Sequence, residues 1–223
     1  MLLTLLVKGC AAAALLLSAA VPPQSDYRDD LAAGSVLFKQ GLVQKSVESF
    51  NRAAAAQPTL AKYFWQRGIS QYYVGQYEEC YEQFQADAVV SKADAEELLW
   101  SLLCKAGQER SVPIAQQALA SQGLAPDARA VMVDIQKMYR GDVSIDDILR
   151  RYDSLDKKGS RDFFYSRLYA SLLEAAAGDT VAAEKHAAEA LASSYGSAAA
   201  GRDYMVDVAA VQLKARQGGL DRR

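Results

Sequence analysis

The sequence predicts an all-α protein, a right-handed α-solenoid of stacked helical hairpins. Three observations predict it. Residues recur at one fixed step of 34: Gly34 returns as Gly68, Gly41 as Gly75, Val43 as Tyr77 and Phe50 as Phe84. The composition favours helix, with 51% of the 223 residues hydrophobic, abundant alanine and leucine, and only five prolines. No stretch sustains the alternation of a strand. A fixed period of this size marks an array in which each unit buries its apolar face on the next.

The elements follow in order. Residues 1–20 read as a signal or targeting segment, apolar apart from Lys8 and a few small polar residues. Cys10 to Leu17 forms its apolar centre, and Ser18 and Ala20 stand at a cleavage spacing. Pro22 and Pro23 then stop any helix. The alternative is an uncleaved anchor, although the apolar run is short for a span of roughly 20 residues. The domain proper covers 21–216, with clear repeats at 27–60 and 61–94. The first repeat has helices at about 29–39 and 44–56, turning at Gly41. The second has helices at about 61–74 and 78–90, turning at Gly75 and Gln76. Small residues (Gly34, Gly68, Ser46, Cys80) face bulky ones (Val43, Tyr77, Phe50, Phe84), a pattern that packs helix on helix.

Degenerate hairpins occupy 95–152. Asp94 and Glu97 form a capping box for a helix from Ala95 to Lys105. A helix at about 113–121 follows, then a hairpin at about 127–139 and 144–152. Residues 153–160 read as a polar loop. The last hairpin and cap span 162–216: helices at about 163–177 and 181–193, a turn at Gly178 and Asp179, and a capping helix at about 201–216. Residues 217–223 read as a flexible tail.

The 34-residue step and its glycine and phenylalanine positions match the consensus of tetratricopeptide (TPR) repeats. Three longer phrases narrow the match: Tyr63 to Tyr73 (YFWQRGISQYY), Phe163 to Tyr169 (FFYSRLY), and Tyr195-Gly-Ser with Arg202-Asp-Tyr-Met205. Together they resemble a plant and algal family of TPR-like proteins over most of residues 60–212. The resemblance implies a helical-hairpin fold and an organelle or export targeting segment. It carries no assigned activity.

In TPR proteins one face of the first helices lines a concave groove. By register with that consensus the groove takes Arg28, Leu31, Ser35, Phe38 and Lys39 from the first repeat. From the second it takes Lys62, Trp65, Ile69, Tyr72 and Tyr73, with Trp100 and Leu103 extending it. Aromatic side chains in a desolvated groove anchor a peptide or helix, and Arg28, Lys39 and Lys62 would hold acidic groups at the rim. The alternative is that the aromatics pack on a neighbouring helix or the C-terminal cap. TPR domains that clamp a C-terminal carboxylate use basic or amide residues where this chain has Leu31, Ser35, Gln66, Glu96 and Trp100, so that ligand does not fit.

Other features read as structural. His186, the only histidine, lacks converging partners for acid–base or metal chemistry. Asp29-Asp30 and Asp146-Asp147 complement helix starts. Arg140-Gly141-Asp142 reads as a helix stop, a turn and a cap. Cys80 and Cys104 read as small buried hydrophobes, pairing being the alternative. No phosphate loop, dinucleotide fingerprint, zinc spacing or nucleophile elbow occurs in the sequence, so no cofactor, no metal and no enzymatic activity is expected. A formal net charge of −2 argues against nucleic acid. The expected function is a non-enzymatic protein-binding adaptor or scaffold with a protein or peptide partner. The alternative is an assembly or quality-control factor holding clients in an organelle lumen, such as a plastid, or along the secretory pathway. Membrane contact is expected only if the N-terminal segment stays uncleaved, and homo-oligomerisation is left open.

Overall fold

The computed structural model describes residues 26–89, 95–120, 124–154 and 160–220. The expected targeting segment, the cap at Asp94 and most of the 153–160 loop lie outside these residues. Twelve α-helices follow one another: α1 (Tyr27–Gln40), α2 (Val43–Ala56), α3 (Trp65–Val74), α4 (Tyr77–Ala88), α5 (Glu96–Glu109), α6 (Val112–Ala120), α7 (Ala130–Arg140), α8 (Ile145–Arg151), α9 (Arg161–Ala177), α10 (Thr180–Ala192), α11 (Ser194–Ala199) and α12 (Tyr204–Arg216). The described protein is thus all-α. Its helices pack mostly on their sequence neighbours, α1 on α2, α3 on α4, α5 on α6 and α9 on α10. One helix departs from that order: α12 lies against α10, α1 and α9.

The repeat logic of the first two hairpins appears in their packing. Gly34 lets the Phe50 ring lie where a Cβ would come within 2.9 Å of it, and Gly68 does the same for Phe84 at 2.6 Å. The two hairpins are tied by small polar groups. The Ser46 hydroxyl donates to Gly34 O (2.8 Å) and lies 3.0 Å from the Ser70 hydroxyl. Gly41, Gly75, Gly141 and Gly178 end α1, α3, α7 and α9 in the left-handed conformation, with their N–H groups closing the last turn. At the end of α5 the same conformation falls to Arg110, at φ 51° the only non-glycine with positive φ among the described residues. An L-residue there costs about 1–2 kcal/mol.

Several boundaries differ from expectation. The predicted helix from Ala61 to Val74 is broken at Phe64: a 3₁₀ turn, Ala61–Tyr63, precedes α3. The Gln83 amide takes the Ala61 and Lys62 carbonyls (3.0 and 3.3 Å), and the buried Phe64 ring stacks on Tyr27. A continuous helix would need those carbonyls for itself. α5 begins after Ala95 with no side-chain cap and runs a turn past Lys105. α7 starts three residues late, because Asp127 is held by Arg129, its Oδ1 by the backbone N–H and its Oδ2 by the guanidinium, in the preceding loop. Gly141 stops α7 as expected, but the cap of α8 is Ser144, in a reciprocal pair with Asp147. The short α11 was not expected.

The reading of Cys80 and Cys104 as unpaired is corrected: they form a disulfide, with Cα atoms 5.8 Å apart. Both are fully buried, so the hydrophobic part of that reading stands. The bond is one rung of an antiparallel ladder between α4 and α5. One turn to one side Phe84 stacks on Trp100, with centroids 5.9 Å apart. On the other, the Tyr77 ring lies over Gly107. The disulfide hints at an oxidising, non-cytosolic compartment. Among the described residues no helix is long and apolar enough to cross a membrane.

Two substitutions test this packing. A Cβ at Gly107 would fall 2.4 Å from a Tyr77 ring carbon. Gly107→Ala is therefore expected to lower unfolding free energy by about 1–3 kcal/mol, read by chemical denaturation. The disulfide spans 24 residues of sequence. Replacing both cysteines by serine should cost about 3 kcal/mol while helix content by circular dichroism is kept. An unchanged denaturation midpoint would mean that the bond constrains nothing.

Candidate functional site

Residue by residue, the predicted groove set divides. Phe38, Ile69 and Tyr73 are buried, at 0%, 0% and 4% exposure. Trp65 and Tyr72 are partly buried, and Arg28, Lys39 and Lys62 are exposed. What covers the aromatics is α12 of the same chain. The Tyr204 ring stacks on Phe38 (5.4 Å) and meets Trp65 edge-on (5.1 Å). The Tyr73 hydroxyl donates to Gln212 Oε1 at 3.1 Å, and the Gln212 amide donates on to Ser171 O at 3.2 Å. α3, α12 and α9 are joined through one buried glutamine. Lys39 pairs with Asp207 at the start of α12 (3.0 Å).

The other two cations do not converge on this face. Arg28 lies over the Tyr27 ring and Lys62 over the Tyr63 ring. The middle of the inner face is therefore core, filled from the C-terminus, and openings remain at its two ends. The first residues of α3, α5, α9 and α12 line one cleft, and their final turns line another. These four helices accordingly run in one direction.

The first cleft has a volume of about 590 Å³. Its walls include Trp65, Trp100, Tyr165, Tyr195 and Tyr204, with Arg161 and Arg202 among them. Two of its three carboxylates serve the fold. Glu96 accepts from Arg129 (2.6 Å) and the Tyr169 hydroxyl (2.8 Å). Asp203 caps α12 through Met205 N–H and also accepts from the hydroxyls of Tyr165 (3.1 Å) and Tyr195 (2.7 Å). Burial, then Glu96 and Asp203, push the Tyr165 hydroxyl well above its ordinary value. Burial and then Asp203 also raise the Tyr195 hydroxyl above its ordinary value. Both hydroxyls stay protonated donors at any physiological pH.

Two groups keep capacity to spare. The Trp100 indole N–H is buried without a hydrogen-bond partner, and Arg161 lies over the Tyr165 ring, 5.2 Å from its centroid. A buried donor left unpaired costs about 1–3 kcal/mol. Of the predicted groove residues Trp65 and Trp100 line this cleft; Tyr72 and Tyr73 line the opposite one.

Tyr165, Tyr195 and Tyr204 escaped the site prediction, although all three stand in the phrases FFYSRLY, YGS and RDYM. Those aromatic clusters were the available signal. His186 is held by Glu174, Nδ1 to Oε2 at 2.7 Å, with both side chains buried. No protein-family model matches this chain, and no curated protein is significantly similar to it.

Tyr204 is the test of the filled inner face. Tyr204→Ala removes its contacts to Phe38 and Trp65 and is expected to cost about 3 kcal/mol of stability, read from a guanidinium titration followed by tryptophan emission. A change below about 0.5 kcal/mol would mean that α12 rests on the inner face without supporting it.

Proposed function

We propose that the protein is a non-enzymatic protein-binding adaptor, built as a right-handed TPR-like solenoid that takes a peptide segment of its partner in the cleft between Trp65, Trp100, Tyr165, Tyr195 and Tyr204. The observation that carries this reading is the cleft itself. It is walled by large aromatics, two of its three acidic side chains, Glu96 and Asp203, are engaged inside the protein, and it lies at the ends of helices. Aromatic anchors in such a setting dominate the affinity of protein interfaces. A volume of about 590 Å³ suits one large side chain with its flanking backbone. The groove predicted from the TPR consensus is thereby moved. Phe38 and Tyr73 meet α12, and Trp65 and Trp100 are the members of that set left to meet a partner.

The reading needs no cofactor and no nucleic acid. The disulfide favours a second form of it, in which the partner is a client held during assembly or quality control in an organelle lumen or the secretory pathway.

Selection of peptides from a random library on the oxidised protein tests the proposal. Selected peptides should lose about thirtyfold in affinity on Trp65→Ala or Tyr195→Ala, a hot-spot loss of about 2 kcal/mol. Tyr63→Ala, at an exposed aromatic outside the cleft, should leave binding unchanged. Failure to select any peptide, or equal losses in all three variants, would reject the cleft as a docking site.

A further inference from the structure

The second cleft has chemistry that peptide docking does not use. It measures about 740 Å³ and is lined by the final turns of α3, α5, α9 and α12. No aspartate or glutamate is among its lining residues, whereas two arginines are, Arg110 and Arg216. Neither forms an ion pair among the described residues, and Nε of Arg216 is buried without a hydrogen-bond partner. Tyr72 and Tyr77 line the same space, and no hydrogen bond of their hydroxyls is found in the described protein; burial holds the Tyr72 hydroxyl well above its ordinary value, so it remains a donor.

The helix ends alone do not explain two unpaired guanidinium groups. Final turns carry partial negative charge, but those of α3 and α9 are closed by Gly75 and Gly178 N–H groups. The positive first turns of α4 and α10 also reach the cleft, through Tyr77 and Thr180. A second observation is independent of charge. Arg110 occupies the left-handed position that glycine takes at the ends of α1, α3, α7 and α9. A strained backbone that keeps a particular side chain in place is a mark of functional sites.

We propose that this cleft binds a tetrahedral oxyanion, a phosphate or sulfate group, between the guanidinium groups of Arg110 and Arg216, with the Tyr72 and Tyr77 hydroxyls donating to its oxygens. Guanidinium groups match such oxygens in charge and geometry. The volume leaves room for an organic portion against the tyrosine rings, within the usual range of small-molecule sites.

The test is calorimetric titration of the full oxidised chain with inorganic phosphate, inorganic sulfate, phenyl phosphate and, as the uncharged counterpart, phenol. The expected result is saturable binding of the anions and none of phenol. Tighter binding of phenyl phosphate than of inorganic phosphate would identify an esterified ligand, and equal binding a free anion. Arg216→Gln and Arg110→Gln should each weaken binding at least about tenfold, while Arg28→Gln, at an exposed arginine outside the cleft, leaves it unchanged. Arg110→Gly separates function from fold: it should raise Tm by about 2–4 °C by relieving the backbone and still lose binding. No saturable anion binding, or binding that Arg110→Gly and Arg216→Gln leave intact, would overturn the proposal and assign both arginines to the helix ends.

Discussion

The rest of the structure depends on the seating of α12 along the inner face of the hairpins. Met205, Val206, Val208, Ala209, Val211 and Gln212 are all buried, so the helix has almost no solvent face. A helix that is apolar nearly all round is stable only when surrounded, and α1, α9 and α10 surround it. In return α12 satisfies the buried polar groups it meets. Gln212 bonds to both Tyr73 and Ser171, which keeps those groups from being stranded away from water. The two clefts follow from the same arrangement. α12 has 13 residues against 17 in α9, about 6 Å less at the rise of an α-helix, so it leaves the ends of the inner face open.

Directionality gives those ends different chemistry. Four helices that run the same way place like dipole ends together, and carboxylates at the first turns offset the positive ends. Glu96 and Asp203 stand at the first turns, and Arg110 and Arg216 at the last. At the first turns Glu96 and Asp203 are hydrogen-bonded by Arg129 and by the hydroxyls of Tyr165, Tyr169 and Tyr195. At the last turns the arginines have no such partners. One end is thus an aromatic recess in which Glu96 and Asp203 are hydrogen-bonded, the other a recess with unpaired bases, and neither is visible from composition.

The first two hairpins were legible because their geometry is local. Gly34 under Phe50, and Gly68 under Phe84, is a contact between adjacent helices that a fixed step in sequence reports directly. The break at Phe64 was not legible, since it depends on Gln83 reaching back across the hairpin. The disulfide needs the register of α4 on α5, and cysteine spacing alone carries no register. Trp65, Tyr72 and Tyr73 read as an open groove for a related reason. An aromatic stripe shows that a face is covered without showing by what, and the covering residues Tyr204 and Gln212 lie far along the chain. Tyr165, Tyr195 and Tyr204 were visible only as parts of aromatic phrases, because their meeting around Asp203 is a tertiary event.

Tyr73 and Gln212 are separated by 139 residues. Ordinary hairpin arrays exchange energy only between nearest neighbours and grow a unit at a time. Here the centre of the packed helices is supplied by α12, whose Gln212 leaves the ribosome 139 residues after Tyr73. While the chain is being made, Phe38, Trp65 and Tyr73 face an unfilled channel, and they are covered only when residues 204–216 have emerged. Loop closure over so long a distance slows folding, and it couples hairpins that would otherwise melt separately. The molecule gains the all-or-none character of a globular domain, together with a window during synthesis in which its own aromatic channel is open to other apolar segments.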